Sequence, residues 1–316
     1  MSTKNNNPKG IILILIGMFI VSFMDATFKY INTSVNLYEA YFVRTLVSFV
    51  VIASYLKITN KPIIFTTHYP LLTSIRVILF FFGFSSFYVS LTIMPLATAT
   101  ALFFASPFLM TVFAIFFLKE EVGIRRWSAV IIGFIGVYII LNPDFNDFDY
   151  FSLTPVLCAF CYALSMIIIK KTSDKDDVYS QMFHFYIFAI TVSLIIYFLI
   201  GDGQYNNFDF PASQFIFRKW FSNLEFSLPY MIFIGVVGAI GFLCFFTAYR
   251  IASPAVVSPF EYSILVWATI NGWIFFDEIP SQRTIAGMIL IVSGSIYIFI
   301  REKSQDQSIA TDKPLR

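Results

Sequence analysis

Ten apolar blocks of about 20 residues constrain this chain more than any other feature. A helix of about 20 apolar residues has the length that crosses a bilayer. Of the 316 residues, 58% are hydrophobic and 13% are charged, against about 45–50% and about 25% in soluble domains. Because a backbone that faces lipid must satisfy its own hydrogen bonds, we expect an all-α integral membrane protein in a lipid bilayer. The predicted spans are 11–31, 37–56, 70–91, 96–118, 126–142, 151–170, 179–199, 228–250, 254–276 and 282–300.

Basic residues divide unequally between the two sides of these spans. Of the 21 Lys and Arg residues, 15 fall on the side that holds both termini. Three, Arg218, Lys219 and Arg283, fall on the other side. Since positive charge marks the cytoplasmic side of a membrane protein, both termini are predicted to be cytoplasmic. The net charge of +2 gives no reason to expect a nucleic-acid partner.

The stretch Ser90–Asn142 recurs 158 residues further along the chain, and the first two spans recur at an offset of 141, where Lys29 meets Lys170. Five spans per half is an odd number, so the second copy must lie upside down relative to the first. Inverted repeats of this kind surround a central site in many secondary transporters. We therefore predict two inverted five-helix repeats, 1–148 and 149–303, around a central cavity, followed by a polar cytoplasmic tail, 304–316. The informative matches are Thr111 with Thr269, Glu120 with Glu278, Arg125 with Arg283, and Gly136 with Gly294.

The repeated hairpin also resembles a known family. The two copies read MPLATATALFFASPFLMTVFAIFFLKEEVGIRRWSAVIIGFIGVYII and SPAVVSPFEYSILVWATINGWIFFDEIPSQRTIAGMILIVSGSIYIF. Together with MDATFKY in the first span and SIRVILFFFGFSSFYVSL in the third, they resemble the EamA-type members of the drug/metabolite transporter superfamily. Within that family, the sequence most resembles the branch that contains S-adenosylmethionine uptake and riboflavin transporters. The resemblance implies ten helices in two inverted halves, a central cavity, transport without ATP hydrolysis and a bacterial inner membrane.

Ionisable residues inside the spans are the first candidates for a substrate site, because each costs about 2.5–3.5 kcal/mol at a helix centre. At 1.5 Å per residue, they form two layers, each about 10 Å below one membrane boundary, with aromatic side chains between them. Pro107 and Pro259 also interrupt spans four and nine, and such breaks often mark a site between helices. The outer layer is Asp25 and Arg44, with Lys29 one helical turn above Asp25; the inner layer is Arg76, His184 and Glu261; the aromatic candidates are Tyr88, Phe104, Tyr162, Tyr249, Tyr262 and Trp267.

Each charged pair has a structural and a functional interpretation. Asp25 with Arg44 is either an ion pair that locks two helices or an outer gate that contacts substrate. Arg76 with Glu261 either pins two helices together or forms the inner gate. We expect each gate pair to be joined when its side of the membrane is closed.

Four further residues carry weaker expectations. Lys29 either extends its charge to the interface or belongs to the site, and His184 is interpreted as a hydrogen-bonded polar residue rather than a proton relay. Glu120 and Glu278, which close spans four and nine, are expected to hold the following turns near Arg125 and Arg283 without touching substrate.

Other chemistries lack their motifs in the sequence. Cys158 and Cys161 have one further Cys in the chain, Cys244, which is too few ligands for a metal site. There is no phosphate-binding loop of the G-x-x-x-x-G-K-[ST] type. We therefore expect no cofactor, no metal and no enzymatic activity.

The sequence favours a secondary transporter that moves a small organic metabolite by alternating access. The substrate classes are an amino acid, an S-adenosylmethionine-like solute or a flavin-like solute. The coupling ion is open between H⁺ and Na⁺, and the oligomeric state between monomer and homodimer. Two alternatives remain: a lipid-modifying membrane enzyme, which needs a metal or nucleophile cluster, and a receptor or scaffold, which needs a folded soluble domain.

Overall fold

Helices account for all the regular structure in the part of the chain that the computed structural model describes. These residues are 7–118, 131–132, 135–136, 138–139, 150–252, 257–290, 292–293 and 296. The α-helices are α1 (Asn7–Ile31), α2 (Leu37–Ile58), α3 (Pro70–Ser90), α4 (Leu96–Phe103), α5 (Ala105–Leu118), α6 (Thr154–Thr172), α7 (Val178–Ile200), α8 (Pro211–Phe217), α9 (Leu224–Ile251) and α10 (Ser263–Phe276). Two 3₁₀ helices, Tyr150–Leu153 and Ser258–Tyr262, precede α6 and α10, and residues 282–290 are also helical.

Seven of the described helical segments are long and apolar enough to cross a membrane. They are α1, α2, α3, the combined segment Leu96–Leu118, α6, α7 and α9. This confirms an all-helical membrane architecture. The predicted span 126–142 lies mostly outside the described residues, as do Glu120 and Arg125. The count of ten spans and the cytoplasmic termini stay predictions.

The second helix of each predicted half begins in the same way. Asn36 is the N-cap of α2, and its Oδ1 accepts a hydrogen bond from Tyr38 N at 2.8 Å. Asp177 is the N-cap of α7, and its Oδ1 accepts one from Ser180 N at 2.7 Å. Side-chain oxygens of this kind satisfy backbone N–H groups that have no partner within the helix. The two caps are 141 residues apart, which is the offset of the sequence repeat.

Glycines allow the closest helix contacts, in which α1 packs on α9 and α3 packs on α6. A methyl group at Gly83 of α3 would lie 2.6 Å from Cys161 Cβ of α6. A methyl group at Gly241 of α9 would lie 2.8 Å from Val21 Cγ2 of α1. Gly83 and Gly241 are 158 residues apart. In lipid the hydrophobic effect does not drive helices together, and small residues let their backbones approach closely. Equivalent positions of the two predicted halves therefore both carry glycine at a close helix contact.

Spans four and nine are both interrupted near the middle of the molecule. In span four, α4 ends at Phe103 and α5 begins at Ala105, and Phe104 N bonds to Ala101 O in a tighter turn. In span nine the 3₁₀ helix ends at Tyr262, and α10 begins at the next residue, Ser263. Phe104 and Tyr262 are again 158 residues apart, and their ring centroids lie 4.7 Å from each other. The two interruptions therefore meet.

Candidate functional site

A small cavity lies beside the interrupted helices, between α1, α3, α4, α6, α9 and α10. Its volume is about 20 Å³, which is room for about one water molecule. Asp25, Thr100 and Tyr162 line it among apolar side chains such as Phe84 and Phe103. A metabolite site needs about 300–1,000 Å³, so this cavity is too small to hold a metabolite.

Asp25 and Arg44 are joined through a tyrosine rather than by a direct ion pair. Tyr88 donates its hydroxyl hydrogen to Asp25 Oδ1 across 3.3 Å, and Arg44 Nη1 donates to Tyr88 Oη, also at 3.3 Å. All three side chains are buried. The sequence led us to expect a direct pair of Asp25 with Arg44. In the described structure the two side chains make no salt bridge, and the Tyr88 hydroxyl lies between them.

Aromatic faces provide the rest of the surroundings of Arg44. Its guanidinium carbon lies 4.4 Å from the ring centroid of Tyr41, 5.3 Å from that of Phe28 and 5.6 Å from that of Phe242. Cation–π attraction of this kind strengthens when the cation is removed from water. Arg44 Nη2 nevertheless has no hydrogen-bond partner among the described residues, so one donor is open to a further group.

Glu261 has hydroxyl partners in place of the arginine that the sequence suggested. Its Oε1 accepts a hydrogen bond from Tyr162 Oη at 2.6 Å and a second from Tyr249 Oη. Its Oε2 is buried and has no hydrogen-bond partner in the described part of the chain. Tyr162 also lines the cavity, so Glu261 lies one hydrogen bond behind the cavity wall.

Arg76 is held elsewhere, which corrects the expected pairing of Arg76 with Glu261. Its Nη2 donates to Gln181 O at 2.8 Å, and its guanidinium carbon lies 5.7 Å from the ring centroid of Phe246. No Arg76–Glu261 salt bridge exists among the described residues. The backbone of Gln181, at the start of α7, thus binds the Arg76 guanidinium.

His184 and Trp267 lie away from the cavity. His184 is half-buried, and its Nε2 lies 2.8 Å from Phe65 O in the connection before α3. Trp267 packs edge-on against Phe19 of α1 with ring centroids 4.8 Å apart. The structure therefore brings together Asp25, Arg44 and Tyr88 as one group, Glu261, Tyr162 and Tyr249 as a second, and Phe104 with Tyr262 as a third.

The predicted outer end is closed by an ion pair that the sequence did not indicate. Lys29 Nζ lies 2.5 Å from Glu278 Oε1 and donates to Met94 O at 2.9 Å. Glu278 Oε2 accepts a hydrogen bond from Leu96 N at 3.0 Å. Glu278 was expected to hold its own turn near Arg283, and its carboxylate instead ties that turn to α1 and to the start of α4.

Two arginines hold matching turns at the two ends. Arg218 Nη1 donates to Asn32 O at 3.1 Å and to Val35 O at 3.0 Å, in the turn between α1 and α2. Arg250 donates to the carbonyls of Ser173, at 3.2 Å, and Asp176, in the turn between α6 and α7. Residues 173 and 176 lie 141 positions after 32 and 35. The same two carbonyls are therefore bound at each end.

Two lysines repeat a second contact. Lys29 Nζ bonds to Met94 O at 2.9 Å, and Lys170 Nζ bonds to Ala252 O at 3.0 Å. The lysines are 141 residues apart and the carbonyls 158 residues apart, as in the sequence repeat. Equivalent side chains thus close equivalent turns at opposite ends.

Asp176 forms further contacts at the end of the molecule where Arg250 binds. Its carboxylate accepts hydrogen bonds from Thr67 Oγ1 and from His68 N, the latter at 2.9 Å. Burial acts to raise the pKa of Asp176, but the hydrogen bonds from His68 and Thr67 outweigh it and hold the pKa below its ordinary value of 3.8. A carboxylate with a lowered pKa stabilises the folded protein at pH values above its ordinary pKa. That stabilisation is lost as the pH falls through the lowered pKa. The Asp176 carboxylate therefore stays ionised at neutral pH.

These features define a helical integral membrane protein with buried charges, interrupted spans and a closure at each end. The EamA-like transporter family model matches residues 8–142 and 152–300, and the chain belongs to that family. It is a membrane transporter of small metabolites rather than an enzyme.

Individual relatives agree with the family. The S-adenosylmethionine uptake transporter of Rickettsia prowazekii (strain Madrid E) is 29% identical over 301 residues, which is 95% of each chain. The riboflavin transporter of Vibrio cholerae serotype O1 is 29% identical over 204 residues, covering 65% of this chain and 62% of the relative. A crystal structure with 14% sequence identity matches with a TM-score of 0.67 over 93% of this chain and 98% of its own, which shows the same fold.

Proposed function

We propose that the protein takes up S-adenosylmethionine, or a metabolite of the same chemical class, across a bacterial inner membrane. The carrying observation is the cavity beside the two buried carboxylates, Asp25 and Glu261, and the buried Arg44. The full-length similarity to the Rickettsia uptake transporter supports the proposal. Transport proceeds by alternating access, without ATP.

The charges of the site fit the charges of this substrate class. S-adenosylmethionine carries two cationic groups, a sulfonium and an ammonium, together with a carboxylate and an adenine ring. Asp25 offers an anionic partner for a cationic group, and Arg44, with an open Nη2, offers one for the carboxylate. Aromatic side chains around the cavity, such as Phe84 and Phe103, stack on the adenine. Riboflavin has no net charge at neutral pH and leaves these buried groups uncompensated, so its class is less favoured.

Alternating access follows from the inverted arrangement of 1–148 and 149–303. Ten spans with both termini in the cytoplasm place the two halves in opposite orientations. The matching N-caps, arginine clamps and lysine contacts support that arrangement. Phe104 and Tyr262 lie where the interrupted spans meet, and we assign the bending that widens the cavity to these two positions. Arg76, His184 and Lys29 belong to the end closures, and Trp267 to packing.

We also propose that the coupling ion is a proton, taken up at Glu261. Both tyrosine hydroxyls direct their hydrogens to Oε1, and Oε2 has no hydrogen-bond partner among the described residues. An ionised carboxylate buried without a cation is costly, and protonation removes the charge.

Glu261→Gln tests the proton. Glutamine keeps the size of the side chain but holds it neutral, so uptake driven by an imposed pH gradient should fall to background. Exchange of labelled for unlabelled substrate at equal pH should continue. The matched control is Glu225→Gln, an exposed carboxylate at the start of α9. Gradient-driven uptake that survives in Glu261→Gln contradicts the assignment.

Purified protein in liposomes tests the substrate. We expect accumulation of labelled S-adenosylmethionine, weaker competition by S-adenosylhomocysteine, which lacks the sulfonium charge, and no competition by riboflavin. Asp25→Asn should weaken the preference for the sulfonium, whereas Asp209→Asn, at an exposed position of the outer connection, should leave it unchanged. Strong competition by riboflavin, or no accumulation, refutes the proposal.

A further inference from the structure

The ion pair between Lys29 and Glu278 joins three segments at the predicted outer end of the molecule. Lys29 closes α1, Glu278 follows α10, and the pair also binds Met94 O and Leu96 N just before and at the start of α4. A left-handed residue ends α10: Asp277 has φ 54°, and Glu278 N bonds back to Gly272 O at 3.0 Å. This helix ending turns the backbone at Glu278, whose carboxylate meets the Lys29 ammonium. The closure is therefore built by a carboxylate that follows α10 and a lysine near the end of α1.

The pair lies at the edge of an open depression on that end. The depression has a volume of about 570 Å³, and Lys29 and Glu278 both line it, together with Asn32, Thr92 and Phe276. The side chains of Lys29 and Glu278 are 11% and 21% exposed. A solute in the depression thus reaches both charges at once. The volume falls within the range of about 300–1,000 Å³ that is usual for small-molecule sites.

We infer that this depression is an outer recognition site for an α-amino-acid zwitterion, and that binding there opens the ion pair. The carboxylate of the solute binds Lys29 and its ammonium binds Glu278, so each partner exchanges one charged contact for another. Separating the pair without such replacement leaves an ion uncompensated, which is unfavourable. The inference rests on the proposed function, since S-adenosylmethionine carries this zwitterion at one end.

The recurrence of the lysine contact connects the closure with transport. Lys170 binds Ala252 O at the opposite end as Lys29 binds Met94 O here. Because the sequence repeat relates the two contacts, the two ends of the molecule are closed in the same way. The outer pair is exposed to solutes from outside, which makes it the point at which an entering substrate is first sorted.

Thiol labelling tests the inference without measuring transport. In a chain without its native cysteines, Thr100→Cys places a thiol on the central cavity, and a membrane-impermeant reagent is added from outside. Lys29→Met should raise the labelling rate several-fold, and the exchange Lys29→Glu with Glu278→Lys should return it towards the original rate. Lys219→Met, at an exposed position near the same end, is the control and should change nothing.

Free methionine is the probe for the zwitterion. It should raise the labelling rate of the Thr100→Cys chain several-fold, whereas its methyl ester and its 2-oxo acid, which each lack one charge, should not. An unchanged rate in Lys29→Met, or no response to methionine, overturns the inference. If Lys29→Met does not fold, the methionine response decides. A methionine response in a protein that fails to accumulate S-adenosylmethionine removes the proposed substrate but leaves the recognition site.

Discussion

The Tyr88 hydroxyl bridges the buried Arg44 and Asp25 side chains, which make no direct ion pair in the described structure. Because it accepts from Arg44 and donates to Asp25, each charge meets a neutral dipole instead of an opposite charge. A buried ion pair in direct contact is expensive to separate. On the proposed function, we expect Arg44 and Asp25 to exchange Tyr88 for substrate groups more readily than a direct ion pair would.

Replacing Tyr88 by Phe removes the bridge. We expect the free energy of unfolding to fall by about 1–3 kcal/mol, because two buried polar groups lose a partner. Uptake of S-adenosylmethionine should fall several-fold in the protein that folds. Thermal unfolding in detergent and liposome uptake measure the two effects. Tyr205→Phe, at an exposed position, should show neither, and a Tyr88→Phe protein indistinguishable from the original contradicts the role of the bridge.

Sequence reasoning selected many of these residues but could not assign their partners. Asp25, Arg44 and Glu261 stood out because charge is rare in apolar spans. The side chain that reaches each of them depends on how the helices are rotated and how deeply they lie, and spacing along the chain gives neither. Glu278 shows this clearly: Arg283 is near in sequence, whereas Lys29 is near in space. The roles of Arg218 and Arg250 were missed. The carbonyls that they bind are related by the repeat offset, but the two arginines themselves are not.

At the scale of the helices, the close packing of α3 on α6 and of α9 on α1 repeats with one difference. A methyl group at Gly83 meets Cys161 Cβ, which is fixed to the backbone, whereas a methyl group at Gly241 meets Val21 Cγ2, at the end of a side chain. A side-chain end gives way more easily than a Cβ atom. The helix pairs are equivalent, but their tolerance of added volume is not.

We therefore expect Gly83→Ala to destabilise the protein more than Gly241→Ala. Overpacking of a buried contact costs about 1–3 kcal/mol, and the larger loss belongs to Gly83. Thermal unfolding of the purified variants measures it. Adding Val21→Ala should restore Gly241→Ala, and adding Cys161→Gly should relieve Gly83→Ala. Equal losses at the two glycines contradict the argument.

Fold class was the part of the whole molecule that the sequence predicted best. Apolar blocks of spanning length have few alternatives in a membrane, and the described helices begin and end close to the predicted limits, as α2 and α7 illustrate. The connection between α7 and α9 was less predictable: it contains α8, and Asn36 Nδ2 holds it by donating to Ile216 O and Arg218 O. Polar contacts of this kind leave no periodic pattern in the sequence.

The orientation in the membrane is open to a direct test. A reporter fused after Arg316 should be cytoplasmic, and one inserted at 206–210 should be external, because 15 basic residues lie on one side and three on the other. Compartment-specific labelling reads both. Two reporters on the same side contradict the inverted arrangement and, with it, the equivalence of the two ends.

The arginine clamps give a prediction about the whole transport cycle. Arg218 holds the turn between α1 and α2, and Arg250 holds the equivalent turn between α6 and α7 at the other end. Removing a clamp weakens the closure of its own end and so shifts the population towards the state open on that side, provided the two states differ by a few kcal/mol. Arg218→Gln should therefore favour the outward-open state and Arg250→Gln the inward-open state. The two variants should act in opposite directions.

Accessibility of Thr100→Cys, in a chain without its native cysteines, measures the shift. Added from outside, an impermeant thiol reagent should label the Arg218→Gln protein faster and the Arg250→Gln protein more slowly than the parent, and in inverted vesicles the order should reverse. Lys219→Gln and Lys171→Gln change exposed cations near the same two ends and should match the parent. A purely structural clamp would lower folded yield and leave the labelling rates of the surviving protein alone. Shifts of both arginine variants in one direction would show that the two turns are not equivalent parts of two gates.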